Sequence, residues 1–218
     1  MITFCSLTLA AQVQVALFAG PQATSTHYTV KEVQQPADHK YGGMGGVALK
    51  VPFDQNLFFF PAVYYSLKGY QVTLNNPSFP PAEQAVNNNT TVHTVEIAPL
   101  LQLDFSKKDA HFFVRMGPSV DFAFYGKERF DTSLNGSQPV ERDMIFSFAD
   151  YGRITAALNV HAGYEVSRGL LVFLHYSHGV GSMNNADGGP KILHRIAGIS
   201  IGWLFGRNPN VLDTRNRQ

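Results

Sequence analysis

The amino-acid sequence predicts an all-β protein, a single eight-stranded antiparallel up-and-down β-barrel that spans a membrane, and three features carry that prediction. Apolar and polar residues alternate with period two in segment after segment, while helical i, i+3, i+4 spacing almost never holds, which is the pattern of half-buried strands. The alternating runs exceed the roughly 5 to 6 residues of a typical globular strand and suit the ~9 to 11 residues of a tilted strand crossing a bilayer. The connections between runs are alternately long and short, as in a barrel with turns at one end and loops at the other. Composition agrees. Charged residues make up 15% of the 218 residues, against about 25% in ordinary soluble domains. The hydrophobic share is only 44% and the mean hydropathy −0.08, so a bundle of membrane helices is excluded. No stretch reaches the ~18 apolar residues of a spanning helix. A net charge of +1 argues against nucleic acid as a partner. The single cysteine, Cys5, rules out an internal disulfide and any Cys-based metal motif.

In chain order, residues 1–11, MITFCSLTLAA, read as a truncated secretory signal peptide, apolar and small, with the first basic residue only at Lys31 and a mature chain starting near Gln12. The first strand is expected over residues 12–20. Strands over 41–53 and 57–70 meet at the turn Asp54-Gln55-Asn56, and strands over 91–105 and 111–126 meet at Ser106-Lys107-Lys108-Asp109. In the latter, Phe112, Val114, Met116, Pro118, Val120, Phe122 and Phe124 share one face, opposite Arg115, Ser119, Asp121 and Tyr125. The clearest alternation is in the strand over 150–166, with Ile154, Ala156, Leu158, Val160, Ala162, Tyr164 and Val166 opposite Arg153, Thr155, Asn159, His161 and Glu165. After the turn Ser167-Arg168 come strands over 169–181 and 192–205. Residues 21–40, 71–90, 127–149 and 182–191 are the long polar connections, with a weak helical pattern over 80–88. The barrel domain thus covers 12–206, followed by a polar tail over 207–218.

Two aromatic belts follow from parity. Phe53, Phe59, Phe105, Phe112, Tyr164, Trp203 and Phe205 lie toward the short turns, and Tyr65, Phe122, Phe124 and Tyr176 toward the long loops. Such belts flank the apolar band, about 25 Å tall, of a transmembrane barrel. The opposite face carries Lys50, Lys68, Arg115 and Arg153 with Glu96, Asp104, Asp121 and Glu165. An eight-stranded barrel is only wide enough for side chains, so these charges are expected to pair in a plugged lumen. Both termini fall on the periplasmic side and the long loops at the cell surface. A soluble lipocalin-like carrier with the apolar face inward is the rival architecture; the loop asymmetry, the belts and the aromatic strand end Trp203-Leu204-Phe205 disfavour it.

The segments FFFPAVYYSLKG (58–69), VEIAPLLQLDF (95–105), FFVRMGPSVDF (112–122), HAGYEV (161–166), HYSHGVGSMNN (175–185) and GISIGWLF (198–205) resemble the PorT-like outer-membrane β-barrel family of Bacteroidetes-type bacteria, often labelled "porin family", with the small-barrel architecture of OmpA and OmpX. The resemblance runs from about residue 41 to 205. It departs at Ala62, where the family often has an acid, and in the tail after Gly206, where the family commonly ends at the last aromatic. Some relatives take part in secretion and gliding motility; these strand motifs specify fold more firmly than activity.

Catalytic chemistry finds little support. His175-Tyr176-Ser177 superficially resembles the His-x-Ser motif of outer-membrane lipid A deacylases, but only Asp187 and Asp213 follow Glu165 as acids, His178 stands where those enzymes have Asn, and parity turns His175 and Ser177 to the face of Gly179. His175 and His178 fall on opposite faces, while His161 and His175 read as a hydrogen-bonded core pair. Asn184, Asn185, Asp187, Gly188 and Gly189 read as a hairpin turn rather than a calcium site. The sequence therefore predicts no catalytic residue, metal or cofactor, and no enzyme. It predicts structural or recognition work as an accessory of a surface or secretion complex. The expected partners are outer-membrane lipid, the barrel-assembly machinery and a protein partner at the surface loops. The first choice for that protein surface is the loop 127–149, with Lys127, Glu128, Arg129, Asp131, Glu141, Arg142 and Asp143.

Overall fold

A computed structural model describes residues 13–75, 79–133 and 138–206; the segment read as a signal peptide and the polar tail lie outside the described residues. The strands are β1 (Gln14–Val30), β2 (Val33–Gln35), β3 (Ala37–Asp38), β4 (Lys40–Asp54), β5 (Leu57–Thr73), β6 (Asn87–Asp104), β7 (His111–Phe130), β8 (Val140–Asp143), β9 (Ile154–Glu165), β10 (Leu170–Gly179) and β11 (Lys191–Phe205). Eight of them, β1, β4, β5, β6, β7, β9, β10 and β11, pair antiparallel in chain order, and β11 closes on β1 through a register that runs from Val15 opposite Phe205 to Thr29 opposite Lys191. β2, β3 and β8 are short additions to β1, β5 and β7 at the long-loop end. No described residue is helical; of residues 80–88, where a short helix is expected, 80–86 form turns with an isolated bridge from Ala85 to Thr132, and 87–88 begin β6.

The strands outrun their expected limits at the long-loop end. β1 continues ten residues beyond Gly20, so most of the expected 21–40 loop is strand, with a tight turn at Lys31 and Glu32, both at positive φ (45° and 67°). β5, β6 and β7 also extend upward. The hydrophobic alternation fades there because Gln22, Thr24 and Thr26 point inward where apolar residues point outward lower down; the β-branched run THYTV still favours strand. β9 and β10 are shorter, 12 and 10 residues, and the wall above them is filled by the connections 144–153 and 180–190. At the opposite end the turns are tight, and Gly169 sits at φ +88°, where any Cβ would meet the Leu204 carbonyl.

Parity decides what faces where. Leu17, Val47, Val63, Ile97, Val120, Val160, Leu174 and Ile201 are exposed on the outer wall, so the apolar face is outward, the reverse of a lipocalin-like carrier. Inside, side chains stack in layers. Phe18, Phe60, Leu100, Phe113, Leu171 and Phe173 form an apolar cluster near the short-turn end, and Tyr28, Tyr70, Val72, Phe130, Tyr151 and Ile192 form another near the long loops. Charged and polar residues occupy the layers between and below them.

One irregularity resets this parity. Opposite the His93–Thr94 step of β6, β7 carries the extra residue Phe124, a β-bulge. Phe124 and Tyr125 both face outward as a result, which corrects the inward placement expected of Tyr125. Beyond the bulge Glu128 and Phe130 turn inward.

Candidate functional site

Seven of the eight charges expected in the lumen are buried there, and they form two separate clusters rather than one network. At the short-turn end Lys50 Nζ lies 2.7 Å from Asp104 and 2.8 Å from Glu165. Arg115, fully buried, donates from Nε to Gln102, which donates in turn to Asp104. Its guanidinium lies over the rings of Phe60 and Phe113, 3.7 and 4.1 Å from their centroids. Past the first apolar cluster, Lys68 Nζ lies 2.7 Å from Glu96 and 2.8 Å from Asp121. Ser119 and Thr155 also donate to Asp121.

Arg153 is the exception. It precedes the first residue of β9, is exposed, and lies over the Phe146 ring at 5.0 Å. The alternation that points it inward requires a strand that has not yet begun.

The loop expected as a partner surface is also rearranged. Glu128 is buried by the reset parity, accepting from Arg142 Nε at 2.6 Å and from the Tyr151 hydroxyl at 2.7 Å. Arg142 also donates to the Pro81 carbonyl, and Asn87 donates to Asp131 at 2.7 Å. Lys127, Arg129, Glu141 and Asp143 remain exposed. Asp150 is buried beside this latch; burial first, and the Glu128 carboxylate second, raise its pKa above the ordinary carboxylate value. At the long-loop ends of β3, β5, β6 and β7, a polar recess of about 380 Å³ is lined by Asp38, Gln71, Asn87, Asn89, Arg129 and Asp131, among others.

All eleven aromatic residues assigned to the belts lie on the outer wall, from 37% exposed at Phe59 and Tyr164 to 72% at Phe53. His161 and His175 are register partners on β9 and β10, inside the barrel, with rings 6.0 Å apart. They are not hydrogen-bonded to each other: His175 Nδ1 contacts Ser200 Oγ at 3.3 Å and His161 stacks on Phe173. Ser177 is buried on the same inner face, away from lipid. The Asn184 side chain closes a turn on Ala186 through both its amide atoms.

Among the described residues, Asp104, His111 and Glu165 bring three ligand-type atoms within 4.8 Å of one another. The Lys50 ammonium already bonds two of these residues, so it takes the position a cation would fill. His111 was absent from the sequence-based charge set, although it shares the inward parity of Phe113 and Arg115. Glu128 is missing from it because the expected strand ends at 126 and Glu128 falls in the expected loop 127–149; in the structure β7 runs on to Phe130, and the bulge at Phe124 turns Glu128 inward.

A family model described as "Outer membrane protein beta-barrel domain" matches residues 10–185. The chain belongs to that family. It is an outer-membrane protein that crosses the bilayer with its strands. No curated protein sequence is similar enough to count as a match. Among solved structures, the outer-membrane barrel is similar to OprG from Pseudomonas aeruginosa, with 10% identity over 88% of this chain and 95% of that one and a TM-score of 0.47. It is also similar to Ail, the attachment invasion locus protein of Yersinia pestis, with 9% identity over 88% and 99% and a TM-score of 0.46. Neisserial surface protein A gives 11% identity over 86% and 97% and a TM-score of 0.42.

Proposed function

We propose that this outer-membrane barrel has a lumen closed to ions, is not an enzyme, and works through the structures at its long-loop end as a structural or recognition component of a surface or secretion complex. One observation carries this reading: the interior is a stack of two apolar clusters and two buried ion-pair clusters, with Arg115 packed between aromatic rings in the first. An eight-stranded barrel leaves no spare width for an aqueous path past such layers. The exposed residues Lys127, Arg129, Glu141 and Asp143 on the β7–β8 hairpin are the surface offered to a protein partner. The strand motifs from residue 58 to 205 support placing the chain with the PorT-like barrels, and the alternation of short turns and long loops supports an orientation with the long loops at the cell surface.

Planar-bilayer recording of the purified protein tests the closed lumen: no steady conductance is expected, and steady, reproducible channels overturn it. Crosslinking followed by copurification from native membranes tests the partner role, with a defined protein held through the β7–β8 hairpin as the expected result. Protease added to intact cells tests the orientation, since cleavage is expected within the long loops and not at the Lys107-Lys108 turn.

A further inference from the structure

The short-turn end of the lumen gathers more ligand chemistry than its ion pairs use. Asp104 is the last residue of β6, His111 the first of β7 and Glu165 the last of β9, so closing the barrel brings three strand ends together, with His111 and Glu165 as direct register partners. His111 Nδ1 lies 2.9 Å from the Lys108 carbonyl, an acceptor, which places a ring N–H at Nδ1. Nε2 then has its lone pair toward Asp104 Oδ2 at 3.0 Å and Glu165 Oε2 at 3.5 Å. The His111 side chain is only 5% exposed, and among the described residues no donor is bonded to Nε2. Lys50 Nζ bonds the same two carboxylate oxygens and leaves the imidazole unanswered. A second ring proton, on Nε2, answers one of the two contacts; a metal ion answers all three ligand atoms at once.

The distances suit a metal. Ligand atoms bound at about 2.0 to 2.2 Å with octahedral to tetrahedral angles stand roughly 2.8 to 3.6 Å apart, and both contacts of Nε2 fall in that range. The surroundings also hold the ligands as metal sites require. The Lys108 carbonyl orients the imidazole through Nδ1, and Gln102 donates to Asp104 Oδ1, leaving Oδ2 for the centre. Lys50 has somewhere else to go: its Nζ lies 4.3 Å from the centroid of the Phe58 ring, close to the Asp54-Gln55-Asn56 turn, so the ammonium can withdraw over that ring toward the rim.

We propose that Asp104, His111 and Glu165 form a binding site for a divalent transition-metal ion at the short-turn end of the lumen, with Lys50 as an internal stand-in that the metal displaces. One imidazole and two carboxylates are a donor set suited to Zn²⁺, and a dication offsets both carboxylates as Lys50 withdraws. The ion enters from the short-turn end and goes no further, because the apolar cluster of Phe60, Phe113 and Phe173 lies beyond it. The compartment that supplies the ion rests on the orientation proposed above; the site does not.

The test is Zn²⁺ binding to the full-length folded protein, free of any affinity tag, by isothermal titration calorimetry. One ion per chain is expected. His111→Ala leaves both Lys50 ion pairs in place and is expected to weaken binding about a hundredfold or more, since losing even an outer hydrogen-bond partner of a metal ligand costs roughly 10- to 100-fold. Lys50→Met is expected to tighten binding about tenfold or more, because it leaves two buried carboxylates without their ammonium. Should that variant need a cation to fold, refolding with Zn²⁺ and not with Mg²⁺ is expected to restore heat-modifiable gel migration, which reads the same exchange. His93→Gln with His178→Gln, both on the outer wall, is expected to change nothing. In the unaltered protein the ¹⁵N resonance of His111 Nε2 is expected to shift on addition of one equivalent of Zn²⁺. Absence of one-to-one binding by the unaltered protein overturns the proposal, as does a fixed Nε2 resonance, an affinity that His111→Ala leaves unchanged, or one that the outer-wall variant loses. A Lys50→Met variant that binds no more tightly, and that Zn²⁺ does not restore, overturns the exchange with Lys50.

Discussion

Lys68 and Arg153 carry the same charge in neighbouring alternation patterns, yet one is sealed in the barrel between two carboxylates and the other is exposed beside Phe146. Their removal should differ accordingly. Lys68→Met leaves Glu96 and Asp121 buried together without a cation and is expected to cost about 3 to 5 kcal/mol, whereas Arg153→Gln is expected to stay within about 0.5 kcal/mol; urea midpoints of refolding into vesicles measure both. Asp150 offers a pH test. Its folded pKa is raised, so the folded state binds the proton more readily than the unfolded chain, and stability falls as pH rises from the ordinary aspartate value through the folded one. The connection 144–153 is therefore expected to gain hydrogen-exchange protection on acidification from neutral pH, and Asp150→Asn is expected to keep the protected state at neutral pH and flatten that dependence.

At the scale of elements, the strands continue beyond the apolar band because their inward positions switch to Thr, Gln, Asn and Tyr, which pack and hydrogen-bond inside the upper barrel. Thr24, for example, donates to the Gly69 carbonyl at 2.7 Å, tying β1 across β4 to β5. The β1–β2 turn at the top of this extension is formed by Lys31 and Glu32, both in the left-handed region that costs a residue with a Cβ roughly 1 to 2 kcal/mol. Replacing them by Asn-Gly, the pair that suits two consecutive positive φ values, is expected to stabilise the protein by about 1 kcal/mol, seen as a higher midpoint in heat-modifiable gel shifts. The bulge at Phe124 acts on a larger scale than one residue. It turns Glu128 into the barrel, where Arg142 and Tyr151 hold it, and so ties β8 and the connection before β9 to the wall.

For the whole molecule, the outer wall meets lipid and the inner wall meets itself. Ile201, exposed between Trp203 and the level of Tyr176, is therefore expected to tolerate Arg poorly: Ile201→Arg should cost about 2 to 4 kcal/mol in a bilayer, measured by the urea midpoint in vesicles. How far the sequence reaches follows from the same two-sided wall. From Val95 in β6 to Phe105 just past its end every odd residue is apolar and every inward carboxylate is even, so strand, register parity and the places of Glu96 and Asp104 are all legible in the chain. The belt residues are legible for the same reason. Where both faces turn polar, as in Gln22 to Thr26 or Asn87 to Thr91, alternation carries no contrast and the strands look like loops. The inward set fails at three kinds of position: Arg153, where the strand had not begun, Tyr125, where an extra residue reversed the count, and Glu128, which lies on strand beyond the expected end at 126. By itself the sequence determined the number of barrel strands and their antiparallel order, because these depend on a period-two pattern that each segment carries locally, whereas the outward direction of the apolar face was favoured by the loop asymmetry and the aromatic belts and is fixed by the exposure of residues such as Leu17, Ile97 and Ile201. Only the tertiary structure decided that the charges form two clusters separated by an aromatic layer, that Lys50 bridges Asp104 and Glu165, and that His178 faces Arg195 at the rim. Those facts depend on the register between strands far apart in the chain, and closing the sheet is what sets that register.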